Sequence, residues 1–373
     1  MNDKYLAIYR RFRPETFDEI LGQEHVIRVL KNQIRENKLG HAYLFSGTRG
    51  TGKTTMARIL AKGVNCLSYE EDDGPQKREN SPCGICENCL SIKNGTCVDV
   101  IEIDAASHNG VDDVRELRDS MIYPPSVCRK KVFIIDEVHM FSNQAFNALL
   151  KTLEEPPTYI MFILCTTEPS KLPATILSRC LRFDFKRVSA NNIMRGMKKI
   201  CSEMDVDLSD EAAALLASNA DGSVRDGFSI LEQCVQAGEK ELTRDLVLEI
   251  IGSPSDESLA SLSWETHKGN TAEALLLLNE MLSSGMDEKQ IIKDWINWYH
   301  SALMIKFVSS PERIVSRSTE NISLIREKSE SFEVEYINNS IYKLSKLLNE
   351  SRWSSNTKIL LEMTIIELSE RIE

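Results

Sequence analysis

At 373 residues the chain is longer than one hydrophobic core usually organises, so two or three domains are expected. With 42% apolar and 27% charged residues it has ordinary globular composition, which excludes a mostly disordered or fibrous chain. A formal net charge of -11 excludes general attraction to a polyanion, so any DNA contact needs a restricted basic surface or another subunit. No apolar run approaches the roughly 20 residues of a membrane span. The opening MNDKYLAIYRRFRPETF scatters charges where an export signal needs an apolar core, so a cytoplasmic location without a membrane partner is the expectation. Ten cysteines in such a chain suggest metal ligation or core packing rather than disulfides.

From residue 42 to 185 short apolar runs alternate with helix-like stretches, the pattern of a parallel sheet flanked by helices. Strands are predicted at 42–46, 98–103, 131–135, 159–166 and 181–185. Runs such as VFIID lack alternation because strands of a parallel sheet are covered on both faces. The first strand leads into Gly47-Thr48-Arg49-Gly50-Thr51-Gly52-Lys53-Thr54, a complete phosphate loop followed by Thr55 and a helix-like stretch. Glycines let backbone N–H groups wrap the phosphates of ATP, Lys53 can neutralise β and γ oxygens, and the Thr54 hydroxyl can complete Mg2+ coordination.

Between the first two predicted strands an insertion at about 64–97 is too polar and too rich in Gly, Pro and Asn to continue the preceding helix. It carries Cys83-Gly-Ile-Cys86-Glu-Asn-Cys89, with Cys66 upstream and Cys97 downstream. Three thiols at this spacing plus a fourth suit a closed zinc site, which would order a loop too small to bury much apolar surface. An iron–sulfur run would continue with Cys three residues on, whereas Leu90-Ser-Ile-Lys follows. Cys128, Cys165, Cys201 and Cys234 stand isolated and read as packing residues.

The third predicted strand ends in Asp136-Glu137, at the sheet edge where ligands bind. Asp136 would hold magnesium and Glu137 would orient and polarise the attacking water. Asp-Glu-Val-His at 136–139 also fits a DExH helicase box, but such helicases need a second parallel-sheet domain, and after Arg187 the strand pattern stops. The only Asn-Lys pair, at 37–38, precedes the phosphate loop and is not a guanine-reading motif. The remainder reads as helices, with boundaries near 188 and 253. Apolar residues at 337, 341, 344 and 348 mark one helical face, and a second helix is predicted over 358–372.

The stretch from Thr166 to Cys180 resembles the clamp-loader branch of the AAA+ ATPases, and with the cysteine insertion the chain is similar to the gamma/tau subunits of the bacterial DNA polymerase III clamp loader. The resemblance implies an α/β fold: an AAA+ P-loop domain with a five-stranded parallel sheet at 1–188, a small helical lid at 189–253 and an all-helical collar at 254–373. It puts Thr167, with Thr166 second, at the sensor-1 position. Ser178-Arg179-Cys180 matches a motif whose arginine reaches the neighbouring subunit's nucleotide, and Gly222-Ser223-Val224-Arg225-Asp226 places Arg225 as sensor 2. It selects Cys66 as the fourth ligand, Cys97 remaining an alternative, and sets residues 9–14 beside adenine and ribose. The implied function is an ATPase motor that loads the beta sliding clamp onto primer-template DNA, with delta, delta-prime and further copies of itself as partners within a nucleotidyltransferase assembly. A branch-migration or helicase-type AAA+ motor and a non-hydrolysing scaffold are the competing expectations.

Overall fold

The computed structural model describes residues 6–68, 82–107, 117, 119–315, 317, 319–351, 353–354 and 356–370. Residues 69–81 of the polar insertion and the end of the last predicted helix lie outside the described residues. The chain forms two compact units, Met1–Gly196 with Ala220–Ser229, and Met197–Asn219 with Ile230–Glu373.

The first unit is built on five parallel strands, β1 (Ala42–Gly47), β2 (Val100–Asp104), β3 (Lys131–Asp136), β4 (Ile160–Thr166) and β5 (Leu181–Phe185). Their spatial order is β2-β3-β4-β1-β5. β1 lies between β4 and β5, with Ser46 opposite Thr166 and Asp184. Successive side chains of the inner strands enter two separate cores. Tyr43, Phe45, Val132, Ile134, Met161 and Ile163 pack with α2 (Glu24–Arg35) and α3 (Lys53–Asn65) on one face. Ala42, Leu44, Phe133, Ile135, Phe162 and Leu164 pack with α5 (Asn143–Glu154) on the other. The strands therefore read as continuous apolar runs because both faces are covered.

β2 begins later than predicted. Val98 is 65% exposed, and the buried Asp99 carboxylate accepts N–H bonds from Ser126, Val127 and Cys128, which holds this stretch to the 126–128 loop. Around the sheet lie α1 (Ile8–Arg11), α4 (Glu87–Asn94), α6 (Ala174–Leu177) and the start of α7 (Ala190–Glu203).

The second unit corrects the expectation of helices alone after residue 187. Two-residue strands β6 (Asp207–Leu208) and β7 (Glu241–Leu242) pair in parallel. They are too short to show a period in the sequence. Otherwise it is helical: α8 (Asp210–Asn219), most of α9 (Val224–Gln236), α10 (Arg244–Ile251), α11 (Asp256–Lys268), α12 (Thr271–Ser283), α13 (Glu288–Phe307), α14 (Thr319–Ser329), α15 (Val334–Glu350) and α16 (Thr357–Ser369). Trp295, Trp298 and Tyr299 of α13 fill its core with Leu259, Phe332 and Ile337. No described helix is long and apolar enough to cross a membrane.

In this unit Asp256 is buried and Asp294 half-buried. Asp256 is paired with both Arg244 and Arg317. Asp294 has instead the neutral Gln290 amide, donated to both carboxylate oxygens at 3.1 and 3.0 Å. Burial pushes its pKa from 3.8 up to about 6. The folded state thus holds the proton more tightly than the unfolded chain, so stability falls as pH rises from about 4 to about 6. At neutral pH the penalty is about 2–3 kcal/mol, taking roughly 1.4 kcal/mol per pKa unit. Asp294→Asn is expected to raise the urea unfolding free energy by about 1–3 kcal/mol at pH 7.5. The gain should vanish toward pH 4; a pH-independent difference would refute this origin.

Candidate functional site

The C-terminal edges of β1, β3 and β4 bring the site together. β1 ends at Gly47, and the loop beyond it enters α3 through Gly50 (φ 76°) and Gly52 (φ 98°). Both glycines adopt left-handed conformations that L side chains rarely take. At Gly50 space also forbids a side chain, because an added Cβ would lie 1.9 Å from Ser223 Oγ. The Gly50 carbonyl accepts the Val224 N–H at 3.1 Å, so the loop leans on the first turn of α9.

Lys53 is buried and folds back over its own loop, donating to the Gly47 and Thr48 carbonyls at 2.8 and 2.9 Å. Burial lowers its pKa, opposed by Glu137 and Asp136. Thr51 closes the loop by donating to the Thr48 carbonyl at 2.9 Å. The Thr54 hydroxyl donates to Asp136 Oδ2 at 2.7 Å, joining the helix start to the end of β3. Thr55, next along α3, accepts from Arg13 Nε at 3.2 Å. Burial and then Arg58 lower the Arg13 pKa, against the pull of Glu102 and Asp136. Arg225, on the first turn of α9, sits 5.0 Å over the Tyr9 ring. Lys53, Arg13 and Arg225 thus concentrate positive charge around a helix N-terminus with free N–H groups, an arrangement suited to a polyphosphate.

Glu137 follows β3 on a left-handed backbone, φ 46° and ψ 43°, unusual for a residue with a side chain. Its Oε2 accepts the Thr167 hydroxyl at 3.1 Å, which joins the ends of β3 and β4. Thr166 is fully buried and turns instead to His139 Nδ1, at 3.1 Å. Arg179 does not join this group. It pairs with Glu154 at 2.7 Å and donates to the Thr175 carbonyl at 2.8 Å. Thr48 and Arg49 lie in the loop itself. The contacts of Arg13 and His139 escaped the sequence reading, since each depends on a residue more than 25 positions away.

A second cluster lies beyond the end of α3. Cys66 caps that helix, Cys86 caps α4, and the sulfurs of Cys66, Cys83, Cys86 and Cys89 all lie within 4.8 Å of one another. Backbone N–H groups of Cys83, Cys86 and Cys89 point at the sulfurs of Cys66, Cys83 and Cys86 at 3.3–3.4 Å. The thiol of Cys89 hydrogen-bonds Cys66 and holds its pKa down to about 4, while the same contact pushes Cys89 up. A tetrahedron of ~2.3 Å metal–sulfur bonds has edges of about 3.8 Å, so the four sulfurs fit one small ion such as zinc. Cys97 is not part of this cluster. Its sulfur is 3.5 Å from that of Cys128, which also corrects the reading of Cys128 as isolated. The pairing spans 31 positions and leaves no local spacing to detect.

Family models match three consecutive stretches: DNA polymerase III, delta subunit, at 22–189; DNA polymerase III clamp loader subunit, ATPase lid domain, at 192–240; and DNA polymerase III subunits gamma and tau domain III at 242–372. The DNA polymerase III subunit tau of Bacillus subtilis is 42% identical over 364 residues, covering 98% of this chain and 63% of that protein. The subunit gamma of Buchnera aphidicola from Acyrthosiphon pisum is 35% identical, covering 98% of each. This chain spans 63%, 51% and 55% of the tau or tau/gamma proteins of B. subtilis, Haemophilus influenzae and Salmonella typhimurium. Among solved structures, the Thermotoga maritima RuvB Holliday junction branch migration motor aligns at 19% identity and TM-score 0.49, covering 68% of this chain and 78% of that one.

Proposed function

This chain belongs to the DNA polymerase III gamma/tau subunit family, and from that premise we propose that it is an ATP-hydrolysing motor of a clamp loader. It works with delta and delta-prime subunits and further copies of itself to open the beta sliding clamp and load it onto primer-template DNA, in the cytoplasm. The domains are those read from the sequence, a nucleotide domain at 1–188, a lid at 189–253 and a collar at 254–373. The single observation that carries the reading is the junction of Thr54 with Asp136 at 2.7 Å beside Glu137.

On binding ATP, Lys53 exchanges two carbonyl acceptors for phosphate oxygens, and the N–H groups of the loop from Gly47 to Thr55 surround the rest. Thr54 and Asp136 would hold magnesium, which would supply positive charge against the phosphate oxygens. Glu137 orients the attacking water, with Thr167 fixing its carboxylate. Arg225 leaves the Tyr9 ring for the γ-phosphate, which couples nucleotide to the position of the lid. Arg179, tied to Glu154 and not to its own loop, serves the nucleotide of an adjacent copy. Cys66, Cys83, Cys86 and Cys89 would hold zinc, whose role is to tie the insertion to the end of α3.

The test is steady-state ATPase of the chain mixed with delta and delta-prime subunits, with and without clamp and primed DNA. Clamp and primed DNA together should raise turnover at least severalfold, and Lys53→Ala should abolish it. Strand displacement without a clamp would favour a branch-migration motor instead. ATP binding with no turnover would favour a scaffold.

A further inference from the structure

We propose that His139 is a positioning residue for Glu137, setting the carboxylate that orients the attacking water; this rests on the ATPase reading above. His139 lies in the turn Val138–Met140, directly after Glu137. Its side chain is only 7% exposed, and three groups surround it. Nδ1 is 3.1 Å from Thr166 Oγ1 and 3.5 Å from Glu137 Oε2. Nε2 is 3.5 Å from Glu168 Oε1. The ring is thus wedged between carboxylates that follow β3 and β4, and seated on a threonine at the end of β4.

The seat is itself held. Thr166 Oγ1 accepts the Glu168 N–H at 3.0 Å, so the hydroxyl cannot swing away without breaking that bond. Glu168 is held in turn by Lys171 at 2.9 Å. The Thr167 hydroxyl and His139 meet Glu137 at the same oxygen, Oε2. The Thr167 hydroxyl bonds that oxygen at 3.1 Å and the imidazole edge, seated on Thr166, stands 3.5 Å from it, so the oxygen is confined between the two and Oε1 is left for the water. The backbone of Glu137 is already confined to a left-handed conformation. With main chain and one oxygen held, little freedom remains in the group that must face the γ-phosphate, and misplacement of such a group by about 1 Å can lower rates roughly 100-fold. The carboxylate touches the reacting water and His139 touches the carboxylate, so the imidazole acts through Glu137.

The experiment is the clamp- and DNA-stimulated ATPase of the full chain in its assembly, read as kcat and KM, with ADP affinity measured separately. His139→Ala should lower kcat about 10- to 100-fold, with KM and ADP affinity changed by less than about twofold. His139→Asn, whose amide can still meet Thr166 Oγ1, should recover at least a third of wild-type kcat. Because both act through one carboxylate, His139→Ala in a Glu137→Gln background should cause no further loss. Unchanged kcat in His139→Ala, or a rise in KM alone, would overturn the assignment while Glu137→Gln inactivity still upheld the ATPase reading. An Asn variant as poor as the Ala variant would also overturn it. A wild-type assembly that turned over no ATP would remove both readings together.

Discussion

Arg179→Ala is expected to lower the turnover of the assembled motor by about 10³- to 10⁵-fold, the range for an arginine supplied in trans to phosphoryl transfer. ATP affinity should stay within about threefold, because Arg179 is engaged by Thr175, Ser178 and Glu154, away from its own phosphate loop. The guanidinium is 32% exposed and pairs with Glu154, itself 50% exposed. An exposed ion pair of this kind contributes at most about 1 kcal/mol, so it yields readily to a phosphate. That makes Glu154→Ala the discriminating control. It removes the pair, leaves the arginine and should keep turnover within about threefold. Single-turnover hydrolysis with fluorescent-nucleotide binding separates the two variants. Equal activity of wild-type and Arg179→Ala assemblies would end the claim of catalysis between neighbours.

The second large effect concerns the thiol cluster. The purified chain should carry about one zinc, lost in Cys86→Ser or on prolonged chelation, since a four-thiolate structural site is worth on the order of 10–16 kcal/mol at neutral pH. Amide exchange in residues 82–97 should then accelerate by several orders of magnitude, because α4 spans only 8 residues and is too short to persist alone. The sheet and phosphate loop rest on separate cores, so nucleotide binding should survive. Metal analysis and hydrogen exchange on the same samples decide the matter. A metal-free chain with full protection at 82–97 would show that the thiols are merely packed.

Much of this protein was legible along the chain because the information is local. Three apolar runs without alternation, at β1, β3 and β4, announce a sheet whose inner strands are covered on both faces, and the spacing from Gly47 to Thr54 announces the loop after its first strand. Cys83, Cys86 and Cys89 advertise themselves by interval alone. Other features depend on which distant segments the fold brings side by side. Along the chain Cys97 stands as an alternative ligand and Cys128 as an isolated packing residue, until β2 and the loop before β3 set them 3.5 Å apart. His139 looked like the fourth letter of a helicase box until β4 placed Thr166 and Glu168 around it. The paired strands at 207–208 and 241–242 are too short to show a period, and only the turns that deliver them make them strands. Sequence by itself determined which chemistry this chain is equipped for, because nucleotide loops and thiol knuckles use residues a few positions apart. Tertiary structure decided which side chains restrain that chemistry, because a parallel sheet joins strand ends that lie tens of residues apart.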